Sequence, residues 1–307
     1  MLGGLVWPPM FKFLIPVYDF AGAVRWLGLL TAVTCLIMTI IARPNPDQQI
    51  RVPEKWRSRR VWYDSLAWKS IAYRWYVASV CFVFFGLYPL FFSLEDWARK
   101  YKIAQAEDKA IGLNDTGSVG SMDGLKTFWF LAIMNASSAV GRLSSAFLAH
   151  RFGELNIHIG SACGATVLAL VLWVLASSAA AALPFVILFG IVSGTLIAMP
   201  AACVASFLPN VEQQRLGQWT GMMYTVAAPF VLTGPLIGGA LIIQGSSRHS
   251  KPFIYIQGFC GASFGISVIC MAVAKYYTKH QGDIFNNSFE SNTAPCIEKG
   301  DTPQSTD

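Results

Sequence analysis

Seven stretches of this 307-residue chain are long and almost free of charge: 22–42, 73–93, 127–148, 157–178, 183–206, 217–243 and 253–274. About 20 apolar residues are what an α-helix needs to cross the hydrocarbon core of a bilayer. No water reaches that core, so each backbone N–H and C=O must find its partner within the segment, which selects helices. The chain therefore reads as an all-α integral membrane protein with seven transmembrane helices. Composition agrees: 13% of residues are charged and 54% hydrophobic, against about 25% charged in soluble domains.

The loops orient the spans. Segment 43–72 carries Arg43, Arg51, Lys55, Arg57, Arg59, Arg60 and Lys69 against Asp47, Glu54 and Asp64. A surplus of cations in a short loop marks the cytoplasmic side. Pro44, Pro46 and Pro53 keep its start from being helical. Alternation then puts 94–126 outside, where basic residues are balanced by acids, and returns the 149–156 turn and 207–216 inside. The expected orientation is N-terminus out and C-terminus in. Asn114-Asp115-Thr116 is a glycosylation sequon on the expected external loop. The N-terminal stretch lacks an early basic region, and Pro8, Pro9 and Pro16 interrupt it, so it is not read as a signal peptide. It reads as a chain that starts partway through a longer one.

Several chemistries are excluded. The net charge of +6 comes from the loops, not from a basic face interleaved with aromatics, so no nucleic-acid partner is expected. Six of the seven cysteines lie within spans, and none forms a CxxC pair or stands at ligand spacing from a histidine. They read as small buried residues, with neither a metal site nor a disulfide framework. No nucleophile arrangement, phosphate loop or dinucleotide fingerprint occurs. The chain is read as no enzyme, and no cofactor is expected.

One span breaks the apolar rule. Residues 135–153 read NASSAVGRLSSAFLAHRFG. Asn135, Ser138 and Arg142 are spaced three and four apart, so a helix sets them on one face. A buried arginine costs about 2.5–3.5 kcal/mol on insertion scales. At 1.5 Å per residue Arg142 lies roughly 9 Å from the inner end of its span. Two readings fit that depth: a snorkelling or structural arginine, or a cation facing a cavity and pairing with an anionic solute. Small residues also cluster, with Gly190 and Gly194 as a GxxxG pair and Gly217, Gly221, Gly234, Gly238 and Gly239 in the sixth span. They let helices approach closely in lipid. Pro200, Pro229 and Pro235 add the prospect of bending.

The stretch Gly141-Arg142 followed by LAHRFG at 148–153 resembles the loop between helices eight and nine of the major facilitator superfamily. NASSAVGR is similar to the eighth helix of its monocarboxylate-carrier-like, fungal-type branch. VRWLG at 24–28, FGLYP at 85–89 and GPLIGG at 234–239 resemble the sixth, seventh and eleventh helices, in order over about 8–280. The resemblance implies that the seven spans are helices 6–12 of a twelve-helix fold. It also implies a three-plus-three repeat pairing spans 2–4 with spans 5–7. The chain then divides into a segment with the first span (1–42), a basic cytoplasmic linker (43–72), a six-helix transporter half (73–276) and a disordered cytoplasmic tail (277–307).

By that resemblance the protein moves a small solute, a monocarboxylate or other anion, by alternating access at the plasma membrane. Arg142, Asn135, Ser138, Tyr88 and Tyr224 are the expected substrate-binding residues. His150, Arg151 and Gly153 are the gate loop, and Gly234, Pro235, Gly238 and Gly239 the residues of helix packing and bending. Two family acids are replaced here, by His150 and Ser138, so the resemblance carries over neither an acidic gate contact nor a proton-carrying Asp–Arg pair. The expected partners are the lipid bilayer, the solute and an N-terminal half that the chain lacks. Two alternatives stand beside a transporter truncated to one half: a non-transporting membrane protein derived from one, and a seven-helix receptor. The receptor lacks its signatures, since no acidic-Arg-aromatic triplet ends the third span and no Asn-Pro-x-x-Tyr lies in the seventh.

Overall fold

The computed structural model describes residues 2–41, 63–100, 123–176, 179–208, 215–248 and 253–293. Within them every regular element is helical. Most of the basic linker, the Asn114 sequon and Cys296 lie outside the described residues.

Helix α1 (Leu2–Ile41) is interrupted at Asp19, whose φ of 58° and ψ of 171° are not helical. A five-residue helix, α2 (Ser65–Lys69), precedes α3 (Ile71–Lys100). Then come α4 (Asp123–Phe152) and α5 (Glu154–Val167), which continues through a π-helical turn, Leu168–Leu172, into Trp173–Leu175. Three further helices follow: α6 (Ala179–Ala205), α7 (Leu216–Arg248) and α8 (Ile254–Thr293).

Six segments are long and apolar enough to cross a membrane: Tyr18–Ile41, Ile71–Ala98, Glu154–Leu175, Ala181–Ala205, Leu216–Gly245 and Ile254–His280. Seven were expected. The one that is missing from these six, the third expected span at 127–148, does form within the 30-residue helix α4, but Asn135, Ser137, Ser138, Arg142, Ser144 and Ser145 make it too polar to qualify by composition. A second difference concerns the end of the chain. Disorder was expected from 277, yet α8 stays helical to Thr293. Proline is what ends a helix most sharply, and none occurs between Phe253 and Ala294.

The packing follows a pattern. α3 packs on α7 and α8, and α6 packs on α4 and α5, while α5 lies against α8. Smaller contacts join α4 to α5, α7 to α8, α3 to α4 and α6 to α7. Exchanging α3, α4 and α5 for α6, α7 and α8 turns this set of pairs into itself. That is the arrangement a three-plus-three repeat produces. α1 stands apart, touching mainly α4, and within its spanning segment only Ala23 and Leu27 are buried.

Two seams hold the framework closest. In the first, a Cβ on Gly190 would lie 2.7 Å from Met134 O and 2.7 Å from Ser137 Cβ. A Cβ on Gly194 would collide with Ser138 O, and one on Gly141 with Ile191 O. α4 and α6 are thus in backbone contact, and Thr195 Oγ1 donates across the seam to Gly141 O at 3.2 Å. In the second, a Cβ on Gly234 would lie 3.0 Å from Phe85 O of α3, and one on Gly238 3.0 Å from the Pro89 ring. One end of the bundle is filled by aromatics, where Trp173 and Phe185 stack with centroids 5.8 Å apart and Trp97 meets both rings edge-on.

Candidate functional site

Arg142 is held by α4, one residue beyond the glycine that brings α4 onto α6. Close approach at Gly141 leaves no room for a side chain on that side of the helix, so the large Arg142 projects from the neighbouring face. Its side chain is partly buried. Its Nε is shielded from solvent with no hydrogen-bond partner, and among the described residues no carboxylate forms an ion pair with it. A guanidinium presents five N–H donors in a fixed fork and cannot shed its charge to suit an apolar setting. An unpaired donor of this kind, in a helix that lies within a membrane-spanning bundle, is an open place for an acceptor.

Tyrosines from two other helices gather near it. Tyr88 of α3 is close enough to Arg142 to interact electrostatically, and Tyr224 of α7 stands in the same relation to Tyr88. Phe84, one turn before Tyr88, ties the group together, its ring centroid 5.8 Å from Tyr88 and 6.2 Å from Tyr224. Phe84 is buried, Tyr88 is half-buried and Tyr224 is 38% exposed. Arg142, Tyr88 and Tyr224 thus lie on three helices around one place. The other two selected residues make contacts along and between the helices. Asn135 Nδ2 donates to Leu131 O, one turn back in its own helix, at 3.0 Å. Ser138 is buried where its backbone meets Gly194, on the α6 side.

The turn between α4 and α5 is built around Gly153. Its φ of 83° lies in the left-handed region that glycine adopts without steric cost, and its N–H closes α4 by donating to Ala149 O at 2.9 Å. His150, Arg151 and Gly153 are all exposed. Glu154, first residue of α5, is an electrostatic neighbour of His150, so the turn carries an acid one residue after Gly153, the last of the expected gate positions. Gly234 and Gly238 sit in the α3–α7 seam with Pro235 partly buried between them, while a side chain at Gly239 would meet nothing within 4 Å.

Two polar clusters went unforeseen. In the first, fully buried His158 of α5 shares its Nδ1 with the Tyr76 hydroxyl at 2.9 Å and lies 3.7 Å from Cys203 Sγ. Its Nε2 is buried without a partner. In the second, Asp64 caps α2 by accepting from Leu66 N at 2.9 Å, and also accepts from Arg215 Nη1 at 3.0 Å and Trp219 Nε1 at 3.1 Å. Burial raises the Asp64 pKa, but the bonds from Leu66, Trp219 and Arg215 outweigh it and hold the carboxyl below its ordinary 3.8. Asp64-Ser65 before an apolar start is a readable cap signal; the partners on α7, some 150 residues on, carry none. Cysteines also divide differently from expectation: Cys81, Cys203, Cys260 and Cys270 are buried, while Cys35 and Cys163 are exposed.

Similar proteins give this framework its lineage. An MFS-type transporter of Gibberella moniliformis is 28% identical over 277 residues, covering 90% of this chain and 59% of the relative. The MFS-type transporter pynF of Aspergillus niger is 27% identical, covering 90% of this chain and 56% of its own length. The aspyridones efflux protein apdF of Emericella nidulans is 27% identical, covering 85% and 46%. The chain thus spans about half to three-fifths of the length of these curated relatives. The sequence profile of the Major Facilitator Superfamily matches residues 1–231, from α1 into α7 and across the seam that carries Arg142, and the chain belongs to that family.

Proposed function

We propose that the chain forms the solute-binding wall of a membrane carrier that moves a small organic anion, a monocarboxylate or a close analogue, by alternating access. The observation that carries this reading is Arg142: a partly buried guanidinium with an orphaned Nε, flanked by Tyr88 and Tyr224 from two other helices. A carboxylate accepts a bidentate bond from such a fork. The tyrosine rings supply apolar walls with hydroxyl donors at one edge. No carboxylate stands one turn before Arg142, where Ser138 is found, so the site offers a counter-charge without a proton carrier of its own.

The wall is open on one side, as Tyr224 and the outer faces of α1 and α7 are exposed. A second set of helices closes it, and the two sets rock about the bound anion. The 43–72 linker then lies in the cytoplasm, with the chain's N-terminus outside and its C-terminus inside, at the plasma membrane. The efflux named for the Emericella relative supports export as the direction to test first.

The test uses liposomes holding either this chain alone or a chimera extended at its N-terminus with the preceding helices of the Gibberella relative. Labelled lactate and pyruvate are the probes. The chimera is expected to move at least one of them, Arg142→Ala to abolish that flux, and Arg142→Lys to retain part of it. The 307-residue chain alone is expected to move neither. Flux of every anion surviving Arg142→Ala would make the arginine structural. A chimera that folds yet moves no anion would leave the membrane-scaffold reading in its place.

A further inference from the structure

The Leu216 end of α7 is fastened by a cluster that belongs to none of the roles above. Asp64, immediately before α2, receives Arg215 Nη1 and Trp219 Nε1, and its own N–H points at Met222 Sδ at 3.4 Å. Tyr73, at the start of α3, adds a bond from its hydroxyl to Trp219 O at 2.7 Å and a ring contact with Trp219 at 5.0 Å. Asp64 and Trp219 are buried, whereas the Arg215 side chain is 47% exposed. One carboxylate thus ties Arg215, just before α7, to Trp219 in its first turn, and water reaches the Arg215 pair from one side.

Beyond that end α7 is held closely on one side, by the Gly234 and Gly238 seam on α3, and most of its other residues are exposed or only partly buried. Pro229 and Pro235 interrupt its backbone ladder further along, which lets the portion before them tilt as a unit. Tyr224 lies on that portion, five residues beyond Trp219 and beside Tyr88. What fixes the Leu216 end of α7 also fixes Tyr224 relative to Arg142.

We propose that Asp64 is a positioning residue that latches α2 to the Leu216 end of α7, so that α7 can swing away from α3 beside Arg142 only when the latch releases. The proposal rests on the Arg142 site for its consequence, but the latch is tested without any solute. Thr220, next to Trp219, is partly buried and its Oγ1 has no partner, so Thr220→Cys is a conservative reporter. Cys35, Cys163 and Cys296 are replaced by serine, and the whole chain is studied in lipid nanodiscs with a hydrophilic maleimide.

Asp64→Ser keeps an oxygen to cap α2 but cannot pair with Arg215. It is expected to accelerate labelling at position 220 by about five- to tenfold, the worth of one part-exposed ion pair and one hydrogen bond. Arg215→Gln breaks the same latch from its exposed side and leaves the cap untouched. It is expected to act in the same direction, and the double variant should add little to the larger single effect. Unchanged labelling in Arg215→Gln, or fully additive effects, would overturn the latch even if Asp64→Ser failed to fold. Adding lactate separates the two ideas. Protection of position 220 by lactate in the latched chain supports the Arg142 site, and its absence beside an intact latch effect counts against that site alone.

Discussion

Gly194→Ala tests the closest seam of the molecule. A methyl group there would collide with Ser138 O, a backbone atom that cannot rotate away. Real Cβ atoms stay at least about 3.0 Å from such neighbours, so α6 must move off α4 or its backbone must deform. Overpacking of a tight interior costs about 1–3 kcal/mol, and a backbone obstacle puts this case at the upper end. Alanine's better helix propensity returns about 1 kcal/mol. The shift also strains the bond from Thr195 to Gly141 O, worth about 1 kcal/mol. The net expectation is a loss of roughly 2–3 kcal/mol, a factor of about 30–150 in the folding equilibrium. Thermal unfolding in nanodiscs, followed by helical circular dichroism, reads this as a Tm lower by about 5 °C or more. Gly239→Ala is the control, since nothing lies within 4 Å of its added methyl, and it should be neutral or slightly stabilising. Equal melting of the two variants would refute the reasoning, because the seam would then have slack that the structure denies it.

Other outcomes follow from the buried polar groups. Tyr76→Phe leaves His158 Nδ1 without its partner and should destabilise the chain by about 1–3 kcal/mol in the same melts; Tyr76→Phe with His158→Leu should recover part of that loss. For Asp64 the sign is set by a folded-state pKa below the ordinary 3.8. Its ionised form therefore stabilises the fold above about pH 4, and that contribution disappears as pH falls through the lowered value. Asp64→Asn should flatten this part of a stability profile measured between pH 6 and 3, and a profile identical to wild type would remove the latch from the account of acid sensitivity.

What was legible in the sequence was what lipid demands. Apolar runs of about 20 residues marked six spans within a few residues of their bounds, and Gly190 and Gly194 marked a seam. α4 was legible as a helix because its polar residues are too few to break one, though enough to hide it from a hydropathy threshold. The face holding Arg142 was only half legible. A three-and-four spacing put Ser138 with it, but a helix face is wide, and the glycine contact at Gly194 draws Ser138 toward α6 instead. Beyond the Asp64 cap signal, the distant partners of Asp64 and the Tyr76–His158 pair left no trace, because each contact joins residues 82 or more apart and no local period records such a meeting. The helical reach of α8 to Thr293 was not legible, because the segment after Lys275 is polar and carries turn formers such as Gly282 and Asn286, which give no helical period to read.

The π-helical turn at Leu168–Leu172 has a consequence for the symmetry of the bundle. The two helix triplets form matched seams, α4 against α6 and α3 against α7. What distinguishes the triplets must come from whatever one has and the other lacks. α5 carries the π turn, while its counterpart α8 is regular α-helix from Ile254 to Thr293. Gly261 of α8 is pressed against Leu170 in that turn, where a Cβ would strike the leucine side chain. One extra residue in a helical turn thus breaks the balance between the triplets, and it does so at the contact where the two meet.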